Sequence, residues 1–353
     1  MKLLYLIFFT TSVIFFSCNS RAELRKDRTR APKITFKANP RENKLEVLVD
    51  GKLFTAYRWP ENVYKPILYP LVTAAGTEIT RGYPLNTRSG ERADHTHQVG
   101  IWLNYGDVNN YDFWGNGSSG KRNIEGGQIM HLGIEQLNEG SGEGSLIATA
   151  SWIDPEGKEL LAERTEYHFI AKDSTRIIDR LSTLTATGGD VTMEDTKEGM
   201  FGIRVARQLE LPSQSAVALT DAQGKPGTEK VVTNQGVTGN YRSSEGTTGE
   251  GVWGTRARWM NLYGSIGEEK ISLTISDHPE NLNYPTYWHA RGYGLFAANP
   301  FGVKDFTKGA EELNYVIPDG QSITFRYRVI LHSGTPLTDE EITQLSENFA
   351  TKY

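Results

Sequence analysis

The chain contains a single cysteine, Cys18, and that scarcity excludes much. Downstream of it no intrachain disulfide, thiolate nucleophile or zinc–thiolate centre can form. Long apolar runs are equally scarce. The only one lies in the first residues, and past Cys18 nothing approaches the ~20 apolar residues that span a bilayer. The formal net charge is −5 and no dense basic patch is present, which argues against nucleic acid as a partner. No G-x-S-x-G elbow, H-E-x-x-H, P-loop or dinucleotide fingerprint occurs.

What is there begins with an address. Residues 1–17 combine Lys2, an apolar run and a small Ser17 directly before Cys18, the pattern of a secretory signal peptide. Phe15-Phe16-Ser17-Cys18 resembles a bacterial lipobox, so Cys18 is expected to carry lipid. Acyl chains partition at roughly 0.8 kcal/mol per buried CH₂, enough for several chains to hold a soluble domain at a membrane. Residues 18–32 are charged and aperiodic and read as a tether, leaving 33–353 as a single domain. Asn19-Ser20-Arg21 is not an acidic run, which favours the periplasmic side of a membrane over the cell surface.

The patterning is that of strands. Lys44–Arg58 reads as two alternating runs joined by Asp50-Gly51, a strong hairpin signal because a type I′ turn needs φ > 0 at both central positions. Asp154-Pro155-Glu156-Gly157 marks a second hairpin turn. Further runs cover Arg176–Ala186, Gly202–Leu211, Ala257–Tyr263, Lys270–Ser276, Gly292–Ala298 and Ser322–His332. Residues 212–256, rich in Gly, Ser, Thr and Asn, read as a long excursion carrying loops. Only the end reads as helix, where Thr338 and Glu341 form a capping box and the pattern continues to about Ala350. The expected fold is a large antiparallel β-sandwich with a short C-terminal helix.

Four segments gather residues suited to chemistry. In Asp94–Gly115 stand His95, His97, Asp107, Asp112 and Trp114; the two histidines share a face if the segment is a strand, as metal ligands or an acid/base pair would. Structural roles for both are the alternative. Glu194–Arg207 carries Lys197, Glu198 and Arg204, with Glu198 a candidate base or sugar ligand and a solvated turn the plainer reading. Gly239–Trp259 alternates Arg and Trp in a glycine-rich frame, suited to stacking on a ligand or to pinning a loop. Asp277–Gly302 combines Trp288, His289 and Arg291, the last two on one face if extended.

These strings, DHTHQVGIWLNYGDVNNYDFWG, EDTKEGMFGIRVA, GVWGTRARWMNLYG and HPENLNYPTYWHARGYGLFAANPFG, resemble the PmoA-like family of bacterial proteins across roughly Pro66–His332. That label implies methane oxidation. The absence of spanning helices contradicts a literal reading, so the activity is not carried over. Where the family pattern has D-H-P-H-H-R-G, this chain has Gln98 and Val99 in place of a His and an Arg. The domain is also similar, more distantly, to the galactose-mutarotase-like supersandwich. That likeness implies a sugar on a concave sheet face, His97 or His289 protonating the ring oxygen, Glu198 taking the anomeric proton, and Trp114 or Trp288 stacking on the ring.

The reading that follows is an envelope carbohydrate-active protein, an enzyme acting on a sugar or glycoside by His/Glu acid–base chemistry. Its catalytic residues would be His97, Glu198 and His289. Asp107, Asp112, Trp114, Lys197, Arg204, Trp288 and Arg291 would contact substrate. A non-catalytic sugar-binding lipoprotein is one alternative. A metal-dependent hydrolase or lyase using His95, His97 and a carboxylate is the other. No cofactor is expected, with a divalent metal left open. The partners are a carbohydrate ligand and a membrane reached through lipid, not nucleic acid.

Overall fold

The computed structural model describes residues 30–116 and 124–353. The expected signal peptide and the Cys18 lipid anchor lie outside the described residues. Among those residues no helix is long and apolar enough to cross a membrane.

Two antiparallel sheets face each other. The nine-stranded sheet runs, in spatial order, Tyr287–Arg291, Leu295–Asn299, Gly199–Arg204, Ile101–Tyr105, Ile67–Leu68, Lys52–Arg58, Lys44–Val49, Lys33–Asn39 and Gly140–Ser141. The eight-stranded sheet runs Asn240–Ser243, Trp259–Ile266, Glu269–Asp277, Ser322–Ser333, Thr175–Ala186, Glu159–Lys172, Glu143–Ile153 and Gln128–Asn138. Alternation along each strand sends one side-chain set into the shared core, where Phe201 of the first sheet stacks on Tyr327 of the second at 4.8 Å. The β-sandwich expected from the sequence is what forms.

Local chemistry explains most of the elements. Asp50 and Gly51 take φ of 48° and 77°, as the hairpin turn requires. The Asp154–Gly157 turn closes on its own backbone, with Lys158 donating to the Asp154 carboxylate at 2.8 Å. The capping box forms in both directions, Glu341 N–H to Thr338 Oγ1 and Thr338 N–H to Glu341 Oε2, and opens the helix Asp339–Lys352.

Three expected runs fall differently. Gly202–Leu211 is a strand only to Arg204, then turns through a short 3₁₀ segment at Arg207–Leu209. Gly292–Ala298 is half turn: Gly294, at φ 89°, ends a tight connection between Tyr287–Arg291 and Leu295–Asn299. The excursion 212–256 contains its own hairpin, Val217–Thr220 with Pro226–Val231.

The two outer faces are finished differently. The C-terminal helix lies on the eight-stranded sheet with Ile342 and Phe349 fully buried, and Trp259 donates its indole N–H to Thr343 Oγ1 at 3.1 Å. Beneath it Arg328 holds Asp179 through two contacts, 2.5 Å from Nε and 2.7 Å from Nη2, between paired neighbours of adjacent strands. Loops and one short helical turn, Val303–Phe306, dress the outer face of the nine-stranded sheet, with Phe306 against Tyr287, His289 and Trp253.

Candidate functional site

That loop-dressed face is where the chemistry gathers. Four adjacent strands place His289, Ala297, Gly202 and Trp102 in one cross-strand row, and Arg291, Leu295 and Arg204 in the next. Their sequence neighbours Trp288, Ala290, Phe296, Ala298, Phe201 and Ile203 point the other way, into the core. A separate small apolar cluster of Trp102, Trp114, Leu295, Ala297 and Tyr293 floors the outer side. Small residues in the row matter here. A Cβ on Gly202 would sit 2.6 Å from Trp102 Cζ2, so the indole lies flat across a position that only glycine leaves open. Gly202→Val is therefore expected to destabilise the fold by about 1–3 kcal/mol, read by urea denaturation, and to deform the floor.

Loops from three parts of the chain close over this floor. Arg81 and Arg204, both almost fully buried, share the carboxylate of Asp94 at 2.9 Å and 2.7 Å. Arg81 also donates to the carbonyls of Asp94, His95 and Gln98, and Arg204 to Gln98 Oε1, which fixes the 94–98 loop. Burial alone would raise Asp94. The hydrogen bond from His95 and the charges of Arg204 and Arg81 outweigh it and hold the carboxyl well below its usual range. Tyr293 is the hub: Arg204 stacks on its ring at 4.9 Å, Arg291 lies over it at 5.9 Å, and His95 stacks at 5.1 Å, nearly parallel.

His97 sits behind this hub, its ring 6.1 Å from Trp114 and 5.7 Å from His95. Lys65, buried beneath it, donates to the His97 carbonyl and to Asn116 Oδ1, both at 2.8 Å. Desolvation pushes the Lys65 ammonium down to about 7, against the pull of Asp112. On the far side His289 is buried, its Nδ1 has no hydrogen-bond partner among the described residues, and it bonds to the Lys197 backbone. The Glu198 carboxylate acts on it electrostatically, while Lys197 Nζ reaches Glu198 Oε1 at 2.5 Å.

The residues named from sequence are sorted by this geometry. His97, Lys197, Glu198, Arg204, His289 and Arg291 come to one face, with Trp114 at its edge. Trp288 does not: it is fully buried on the core side and donates its indole N–H to the Ala257 carbonyl at 3.0 Å. Strand parity forces this correction, because neighbours of His289 must point inward. Trp114 is also nearly closed to solvent, packed edge-on against Trp102, and offers little stacking surface. The accessible indole is that of Trp253, which covers Arg291 at 5.1 Å. Asp107 and Asp112 accept backbone amides within their own turns, Asn110 for the first and Trp114 and Gly115 for the second.

The acid role expected of the imidazoles also needs correction. Desolvation, aided by Lys65, pushes His97 down to about 2, and desolvation pushes His289 down to about 4, against the pull of Glu198. Both rings are neutral at neutral pH, so neither is an imidazolium acid. His95 and His97 lie edge-on in a turn, not on a strand, and His95 faces Asp94 at 3.3 Å. Among the described residues no three His, Cys, Asp or Glu side chains gather as a metal site. A surface hollow of about 170 Å³ is bordered by Lys65 together with Trp59 and His131, and another of about 210 Å³ is lined by Arg88, Glu91 and Arg207, apart from the cluster.

Sequence reasoning passed over Lys65, Arg81, Asp94 and Gln98 as site residues; Tyr293 was counted among the polar and aromatic residues of the fourth segment, and Trp253 was offered as a stacking surface or a loop anchor. Tyr293 stood in a quoted string, two residues after Arg291, and its spacing was the available signal. Nothing local marks Lys65.

The profile of a family of unknown function, DUF6807, matches residues 44–347. The chain belongs to that family. The match covers all of the strands that build the site and carries no activity with it, and nothing in it supports the PmoA-like label. No protein of curated function matches. Among solved structures the chain is similar to a galactose mutarotase-like protein from Lactobacillus casei ATCC 334, at 11% identity over 85% of this chain and 100% of that one, with a TM-score of 0.33. A galactose mutarotase-like protein from Clostridium acetobutylicum is similar at 8% identity over 86% and 99%, also with a TM-score of 0.33. Scores this low say nothing about a substrate.

Proposed function

We propose that this chain is a carbohydrate-active protein whose ligand lies on the outer face of the nine-stranded sheet. The observation that carries the reading is the gathering there of Arg204, Arg291 and Glu198 about Tyr293, with His95 stacked on its ring, His97 beside His95 and His289 near Glu198, drawn from segments far apart in sequence. A sugar needs directional donors and acceptors for its hydroxyls and a flat apolar surface for its C–H face. Arg291 and Lys197 supply donors, Glu198 supplies an acceptor, and the accessible ring of Trp253 supplies the platform. Glu198 is the proposed base, and Lys197 Nζ, in contact with it, is the proton donor at hand. An envelope location with lipid on Cys18 belongs to the same proposal and rests on the Met1–Cys18 pattern.

Calorimetric titration with a panel of hexoses, hexuronates and their oligomers tests it. At least one is expected to bind, and Trp253→Ala is expected to weaken that binding at least about tenfold. Silence across the whole panel rejects the reading.

A further inference from the structure

Taking the sugar reading as its basis, we infer that the ligand is acidic: a sugar unit whose oxyanion is bound by Arg291. The positive groups of the site are not balanced from within. Arg81 and Arg204 share one carboxylate, that of Asp94, and Lys197 is matched by Glu198. Arg291 has no carboxylate within ion-pairing distance among the described residues, and no hydrogen bond from its guanidinium is found among them. Its contacts are two aromatic faces, Trp253 at 5.1 Å and Tyr293 at 5.9 Å. The nearby Glu250 carboxylate lies against Gly292, where a Cβ would meet it, and forms no ion pair with Arg291.

A guanidinium in that setting has a specific use. Two aromatic rings fix its plane and shed its water, while its donors stay uncommitted. Such a fork matches the paired oxygens of a carboxylate or phosphate, and a charge-assisted pair of this kind is stronger than a bond to a neutral hydroxyl. The position agrees with the floor: Arg291 stands one step along its strand face from His289, and across Leu295 from Arg204. A ring seated against Trp253 would therefore hold its acidic substituent at Arg291 and its hydroxyls toward His289 and Glu198.

The test compares galacturonate and oligogalacturonate with galactose and oligogalactoside by calorimetry at low and moderate salt, with galactose 6-phosphate separating phosphate from carboxylate. Acidic ligands are expected to bind at least about tenfold tighter than their neutral counterparts, an advantage that shrinks as salt rises. In Arg291→Gln the ratio is expected to fall below about threefold, and Arg291→Lys to recover it only in part. Galactose 6-phosphate outranking galacturonate assigns the oxyanion to phosphate and upholds the inference. Neutral sugars binding as well as acidic ones, or an acidic preference untouched in Arg291→Gln, overturns it while the sugar reading stands. No sugar of either kind binding removes the reading beneath it.

Discussion

Asp179→Ala is expected to lower the stability of the fold by about 3–5 kcal/mol, seen as a shifted midpoint with unchanged slope in urea denaturation. Asp179 and Arg328 are cross-strand partners on Thr175–Ala186 and Ser322–Ser333, both buried beneath the C-terminal helix. Arg328 also donates to the Leu345 carbonyl and packs over Phe349, so the pair joins sheet to helix. Removing the carboxylate leaves a buried guanidinium under the helix without its ion-pair partner. The size of the loss reflects that stranded charge, not the worth of the pair. Replacing both residues together with Leu and Met is therefore expected to cost much less than Asp179→Ala alone. A double variant as unstable as the single one contradicts this account.

If the proposed sugar chemistry is anomerisation with Glu198 as its base, Glu198→Gln is expected to reduce that rate by about a hundredfold or more, with a change in stability below about 0.5 kcal/mol. The carboxylate is partly open to solvent and pairs with Lys197, itself exposed, at a solvent-facing edge of the fold. The amide keeps the shape of the side chain and can still accept a hydrogen bond, but it cannot take a proton. Binding should fall far less than turnover, and that split separates a base from a mere ligand contact. Polarimetry on freshly dissolved galactose and galacturonate reads the rate directly. Wild-type protein that binds these sugars without speeding anomerisation withdraws the base from Glu198 and leaves a binding protein.

Much of this was legible in the sequence. The hairpin at Asp50-Gly51, the turn at Asp154–Gly157 and the capping box at Thr338 are local devices, and each forms as its residues dictate. His289 and Arg291 share a face because strand periodicity is local too. The same periodicity, applied one residue over, would have sent Trp288 to the core. The runs at Gly202–Leu211 and Gly292–Ala298 misled because apolar residues there continue through turns that tertiary contacts impose. What could not be read were the long-range pairings. Asp94 meets Arg204 and Arg81 only after the sheet forms, and Lys65 reaches His97 from another loop. No spacing rule connects them. The depressed imidazoles follow from the same cause, since burial by distant segments decides their charge.

The sharing of Asp94 between Arg81 and Arg204 has an energetic side as well. Arg81 is locked by backbone carbonyls of the 94–98 loop and Arg204 by the side chains of Asp94 and Gln98, so their charges stand in place before any ligand arrives. Water would have to reorient to stabilise negative charge growing on a bound molecule; these groups do not. The surplus positive charge thus acts as a standing field whose cost was met when the loop folded, and a reaction that builds up negative charge against it needs no further rearrangement of the protein.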